Sequence, residues 1–272
     1  MLYIKTIIIF IILIAFIMHF SDARPAKRGR TSKYMRSQHR DPYSKPLRAL
    51  HNPLLYSGDI IRYPKIGYLK NTFNAVPYDY WLWPNREIPY IIDPSLDKQK
   101  SLILEAMDQF RQHTCVRFRE RKSTDTDYVR IFKGVGCYAS IGKDDDNPEI
   151  ISLGEGCYFP GTIVHELMHT VGYYHEQNRS DRDDFLVINW ENIDEHYKDE
   201  FTKLKEWENK ILTPFDYNSI MLYGPHSFSK DGMSTTMEPK HTGFVMKEVF
   251  DKPGLTAMDA KSINLLYKCQ NS

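Results

Sequence analysis

In 272 residues there are only four cysteines, Cys115, Cys137, Cys157 and Cys269, and no two of them form a CxxC pair. That argues against a cysteine-built zinc site, since such sites draw on closely spaced pairs. Charge of one sign is lacking too. With 36 lysines and arginines against 35 acids, the formal net charge is +1, which leaves no overall electrostatic case for nucleic acid or an anionic membrane as partner. No internal repeat is visible, and no apolar run reaches the ~20 residues that span a bilayer. What is there is an ordinary globular composition, 42% hydrophobic and 26% charged, sufficient to bury a core.

Lys5, then an apolar run of about 15 residues from Thr6 to Phe20, then Ser21-Asp22-Ala23, has the layout of a signal peptide cut after Ala23. A retained membrane anchor is the competing reading, and the run is short for it. No stable membrane insertion is therefore expected. Secretion would put the four cysteines in an oxidising compartment, where two disulfides are expected and three pairings are open.

From Arg24 to Arg48 the chain is strongly basic with Asp41 its only acid. Having no periodicity, it is expected to be a flexible, solvated, protease-accessible arm, with a polyanion-binding arm as the alternative. After about residue 75 short strands are expected at Ile88 to Ile92, Val116 to Phe118, Tyr128 to Phe132 and Ile150 to Leu153. Between the first two, Leu102, Ala106 and Phe110 recur every four residues, and Ser95 or Asp97 could cap a helix. Helical patterning returns at Asn192 to Trp207 and at Thr256 to Tyr267.

The most informative stretch is HELMHTVGYYHEQNRSDRD, starting at His165. On a helix over Thr162 to Tyr174, His165 and His169 lie about 40° apart and one turn apart, so both imidazoles can reach one metal. Ile163, Leu167 and Val171 form a separate apolar stripe that can anchor the helix. Glu166, about 60° from His169, can address a water on that metal without being a ligand. Gly172 favours a helix end, where the chain can turn and bring back His175 as a third ligand. Three neutral imidazoles leave one position of a tetrahedral zinc ion open, the pattern of a catalytic site.

These residues resemble the extended zinc signature of the astacin family of metzincin endopeptidases, HExxHxxGxxHExxRxDR. Ser219 to Tyr223 (SIMLY) resembles the family's Met-turn, and likeness runs from about residue 74 to 269 through WPNREIPYIID, GCYASIG, WENI and LTAMDAKSINLLYKC. The resemblance implies an α/β (α+β) domain of two lobes, with a twisted sheet, the active-site helix and an irregular C-terminal lobe. It implies disulfides Cys115 to Cys269 and Cys137 to Cys157, Met221 beneath one zinc ion per subunit, and Tyr223 as a metal ligand that turns to the oxyanion during catalysis. Glu166 would move a proton from the attacking water to the leaving amine, so that peptide bonds of protein substrates are hydrolysed by a monomer.

In that family a propeptide aspartate in FxGD covers the metal. Tyr56-Ser57-Gly58-Asp59 resembles the motif with Tyr for Phe, although SGD by itself reads as a turn. The implied organisation is a signal peptide at 1–23, a propeptide at 24–73 and a catalytic domain at 74–272, with the freed ammonium of Asn74 paired to Glu176. Phe73 precedes that junction and Lys70 is the nearest base, so the activating protease need not be tryptic. Leu222 stands where many relatives have His, which predicts an altered cleft surface. Asn178-Arg179-Ser180 is an N-glycosylation sequon inside a tight loop, where low occupancy is expected. Lys240 is a candidate for binding an acidic residue on the leaving side of the substrate. A zinc-stabilised binding protein without catalysis would need a missing ligand or base, and none is missing.

Overall fold

The computed structural model describes residues 44–61, 75, 79–144, 148–206 and 210–270. The expected signal peptide, most of the basic arm, and the junction at Phe73 and Asn74 lie outside the described residues. The end of the arm departs from expectation: Ser44–Ala49 is a short helix, α1. Pro46 is buried in it, and Lys45 pairs with Glu155 at 2.9 Å, so this part is docked where a solvated arm was expected.

Six strands form the main sheet: β1 (Ile60–Ile61), β2 (Glu87–Ile92), β3 (Arg117–Glu120), β4 (Val129–Phe132), β5 (Cys137–Ser140) and β6 (Glu149–Leu153). Their order is β1-β5-β6-β4-β2-β3. All neighbours run parallel except β5 and β6, which are antiparallel. Each expected strand is present within a residue or two. Val129 and Ile131 point inward and Arg130 outward on β4, the alternation of a sheet with a buried face. Two short strands, β7 (Leu186–Ile188) and β8 (Met237–Pro239), pair antiparallel elsewhere.

Helix α2 (Lys100–His113) buries Ile103, Ala106, Met107 and Phe110, a stripe at spacings of three and four. The stripe is centred one residue past Leu102, which is half-buried at its flank. The entry also differs from expectation. Asp93 accepts from the Ser95 amide and starts a 3-10 turn at Pro94–Gln99, leaving neither Ser95 nor Asp97 as the cap. Helix α3 (Pro160–Val171) is buried along Gly161 to Val171, as an all-round buried helix must be, and packs on α2, β5 and β6. It is shorter than the span expected to Tyr174. Gly172, at φ 119°, closes it as the Gly172 amide bonds the His169 carbonyl at 2.8 Å and the Tyr173 amide bonds Met168 at 3.1 Å, the Schellman pattern.

Helix α4 (Ala257–Leu266) opens on a reciprocal capping box between Thr256 and Asp259. The helix expected from Asn192 to Trp207 is not formed over the described residues. Glu195–Phe201 is a 3-10 run, and the carbonyls that a continuing helix would use are taken by distant side chains. Asn178 donates to Glu200 and Thr202 at 2.8 and 2.9 Å, and Arg182 to Phe201 at 3.1 Å. The disulfides are Cys115–Cys269, joining the approach to β3 with the end of α4, and Cys137–Cys157, joining β5 to the approach to α3.

Candidate metal centre

Helix α3 carries His165 and His169 one turn apart, and the turn at Gly172 returns His175 to the same point. All three Nε2 atoms face the Asp59 carboxylate: His165 at 3.0 Å, His169 at 3.3 Å and His175 at 3.1 Å. His165 Nε2 and His175 Nε2 are 3.1 Å apart. Every one of these side chains is 0% exposed. The four ligand atoms lie within 4.8 Å of one another.

The outer nitrogens fix the tautomers of two histidines. His165 Nδ1 bonds the Ile220 carbonyl at 2.8 Å and His169 Nδ1 the Tyr173 carbonyl at 2.6 Å. A carbonyl only accepts, so the proton sits on Nδ1 and the Nε2 lone pair points inward. Burial lowers the pKa of His165, and takes that of His175 to about 4, with the Asp59 charge opposing in both cases. Burial raises Asp59, and positive charge on the facing histidine side outweighs it and lowers the carboxylate, a pull that neutral imidazoles with inward lone pairs do not themselves supply. Lone pairs and an anion thus converge in a dry site, and His169 Nε2 and Asp59 Oδ1 have no hydrogen-bond partner there. A cation is what that arrangement lacks, and three imidazoles with one carboxylate are a donor set suited to zinc.

Asp59 is delivered by a tight loop. Tyr56 and Ile60 bond each other's main chain at 3.0 and 2.9 Å, and the Asn52 amide bonds Gly58 at 2.9 Å. Gly58, at φ 89°, leaves no room for a Cβ, which would stand 2.8 Å from the Leu50 carbonyl and 2.9 Å from the Phe228 ring. The Ala139 amide then bonds the Asp59 carbonyl at 2.9 Å, and β1 continues parallel to β5.

Glu166 is 0% exposed, and neither carboxylate oxygen has a hydrogen-bond partner. Burial first, and the Asp59 charge second, push its pKa well up. Tyr223 donates its hydroxyl to Asp59 Oδ2 at 2.5 Å, with its ring 4.4 Å from that of His175. The turn before it is fixed from several sides. Asp259 accepts from Ser219 Oγ and the Ile220 amide, the Glu176 amide bonds Met221 O at 2.9 Å, and Gln177 holds the Tyr223 amide at 3.1 Å. Met221 is buried in the core. Lys252, which gave no sequence signal, is buried beneath this turn and donates to the carbonyls of Ser219 and Leu222. Burial lowers its pKa to about 8 against the pull of Asp259 and Glu248. Leu222 itself is 0% exposed and packs in the core while the Asp59 segment is docked.

Glu176 pairs with Arg179 at 2.8 Å and accepts the Asp216 amide at 3.2 Å; burial, against the pull of Arg179, raises it to about 7. It borders a cavity of about 20 Å³ shared with Asp216, Met221 and Asp259. Asn178 is 3% exposed, with both amide hydrogens engaged. Lys240 is not brought to the histidines; its ammonium donates to the Asp183 carbonyl and its amide to Phe185. Ser57 and His51 pack into the centre without having been singled out. His51 stacks 4.2 Å from the Phe228 ring and lies 6.1 Å from that of Tyr223.

Comparison with known proteins agrees with this geometry. Residues 75–268 match the family model described as Astacin, a peptidase family. Over 198 residues the chain is 48% identical to Astacin-like metalloprotease toxin 1 of Loxosceles intermedia, covering 72% of this chain and 75% of that protein. It is 36% identical over 237 residues to Zinc metalloproteinase nas-13 of Caenorhabditis elegans, 81% of this chain and 52% of the other. Among solved structures, High choriolytic enzyme 1, a hatching enzyme zinc-protease of Oryzias latipes, superposes with a TM-score of 0.62 at 30% identity, covering 77% of this chain and 99% of that one.

Proposed function

The chain belongs to the astacin family of zinc metalloproteases, and from that premise we propose that it is a secreted endopeptidase made as a latent precursor, with Asp59 covering the zinc site until its segment is removed. The observation that carries this reading is the Asp59 carboxylate lying 3.0, 3.3 and 3.1 Å from the three histidine nitrogens. His165, His169 and His175 hold the zinc. When bound, the ion supplies Lewis acidity toward the peptide carbonyl and the attacking water.

The chain's own residues do the rest. Glu166 takes a proton from the water and delivers it to the leaving amine. In the covered state burial and the Asp59 charge favour its protonated form; removing the segment takes away that charge and opens the site to water. Tyr223, freed from Asp59, turns its hydroxyl to the developing oxyanion. The departing segment also uncovers the β5 main chain that β1 occupied, a strand edge to which a substrate backbone can add. The bridge between Ala75 and Tyr173 ties the start of the catalytic domain to the turn after α3, which favours cleavage at Asn74. The Asn74 ammonium then joins Glu176 in place of part of the Arg179 pairing. Extracellular proteins are the substrates, a separate protease removes the 24–73 segment, and the enzyme acts as a monomer.

The test is Asp59→Ala in the full-length chain. Activity of this variant on a peptide mixture before any processing, with the wild type silent until cleaved, supports the reading; a silent, folded, zinc-loaded variant refutes the latency.

A further inference from the structure

His175 differs from the other two histidines in what holds its outer nitrogen. His165 and His169 give Nδ1–H to main-chain carbonyls, whereas His175 Nδ1 meets the Ser57 hydroxyl at 2.8 Å. A hydroxyl carries one proton, and the destination of this one is fixed. Asn178 commits both Nδ2 hydrogens to the carbonyls of Glu200 and Thr202, which orients its amide with Oδ1 toward Ser57. Ser57 Oγ donates to that oxygen at 2.9 Å. Only a lone pair remains to the hydroxyl on the His175 side, so it accepts Nδ1–H and the His175 Nε2 lone pair points inward.

Ser57 is held on every side. Its amide bonds the Glu200 carboxyl, and its carbonyl oxygen lies 3.3 Å from the Tyr223 hydroxyl, whose proton goes to Asp59. Its φ is 53°, in the left-handed region that serine rarely occupies and that persists only where surroundings over-determine it. Ser57 and Asn178 are 2% and 3% exposed, so water does not compete for these bonds.

We propose that Asn178 is the positioning residue of the third zinc ligand: its anchored Oδ1 sets the tautomer and orientation of His175, through the Ser57 hydroxyl while the covering segment is docked. This rests on the latent-precursor reading. When the segment leaves, Asn178 Oδ1 takes the Nδ1–H directly or through a water. The segment therefore holds the site at two points, Asp59 on the metal side of the histidines and Ser57 on the outer side. A glycan on Asn178 Nδ2 would replace a hydrogen the anchor uses, so the sequon and the anchor compete for the same atom.

The test is zinc release from the zinc-loaded full-length chain to a chromophoric chelator, for wild type, Ser57→Ala, Asn178→Ala and the double variant. Each single substitution should speed release about tenfold, the scale seen when a metal ligand loses its outer partner. The double should be no faster than the faster single. In the processed protein Asn178→Ala should retain its effect. The ¹⁵N resonances of His175 in the zinc-free chain supply a readout that general loosening would not move: Nδ1 protonated in wild type, a tautomer mixture in either variant. Should Asn178→Ala fail to fold, Ser57→Ala leaves the anchors intact and carries both measurements. Multiplying effects in the double, or unchanged release and an unchanged Nδ1 proton in the single variants, overturn the proposal. If that happens while Asp59→Ala is active unprocessed, the latent-precursor reading stands without it; wild-type chain that binds no zinc overturns both.

Discussion

Two stretches of chain meet at the metal centre and are secured by different means. From Pro160 to His175 the ligands sit on a capped, buried helix and its turn, where main-chain bonds set the geometry and two of the histidine outer nitrogens end on carbonyls. From Ser44 to Ile61 the chain has one short helix, a two-residue strand and positive φ at Ser57 and Gly58. At its tip this second stretch meets the first through Asp59 and Ser57, with Tyr223 donating to Asp59 and β1 paired to β5 behind them. The first stretch carries its ligands on one continuous helix and turn; the second is tied on by side-chain contacts and a two-residue strand pairing that can be lost once the chain is cut.

Tyr223 belongs to both arrangements, so Tyr223→Phe sharpens the contrast most. In the processed enzyme it removes an oxyanion donor, and kcat should fall about 10²–10³-fold; in the precursor the same change removes the hydrogen bond to Asp59 and should speed loss of the segment. A kcat within twofold of wild type would remove the role given to the hydroxyl. Replacing Cys137 and Cys157 together by Ser acts on the permanent side. The closed loop spans a separation of 20, and its loss should lower unfolding stability by about 3 kcal/mol, read as a lower Tm and a less protected β5. An unchanged Tm would mean the sheet needs no such tie.

The smallest effect concerns pH and the removable side. Burial lowers His51 from its ordinary value of 6.5 to about 3, against a slight pull from Asp59. Docked, the ring stays neutral; released, it takes up a proton between pH 6.5 and 3. Release therefore gains as pH falls through that window, by at most about 30-fold at pH 5, and docking is unaffected above it. His51→Phe keeps a ring on Phe228 and should flatten the dependence, measured as protease sensitivity of the segment from about pH 7 to 5. A slope equal to that of wild type would assign the proton elsewhere.

The same contrast explains what was legible in the sequence. Strands β2, β3, β4 and β6, the span of α4 and the turn at Gly172 follow from local periodicity and cap chemistry, and they emerged within a few residues. The spacing of His165, His169 and His175 placed the centre because one helix and one turn build it. Segments governed by distant side chains were not readable. The pattern at Asn192 to Trp207 carries a helical period, yet Asn178 and Arg182 claim its carbonyls. Lys252 has no local pattern around it and proves to clamp the turn over Ser219 to Leu222, while Leu222 turns inward. Ser57 stands at the variable position of a motif whose resemblance is carried by Tyr56, Gly58 and Asp59.

The most direct measurement is cleavage of a mixed peptide library by the processed protein beside Glu166→Ala, with zinc content determined for both. Cutting by the wild type alone, with one zinc in each protein, is the predicted result and assigns proton transfer to Glu166. Equal cutting by both would contradict that assignment, and zinc in both with no cutting by either would leave a metal clamp without chemistry.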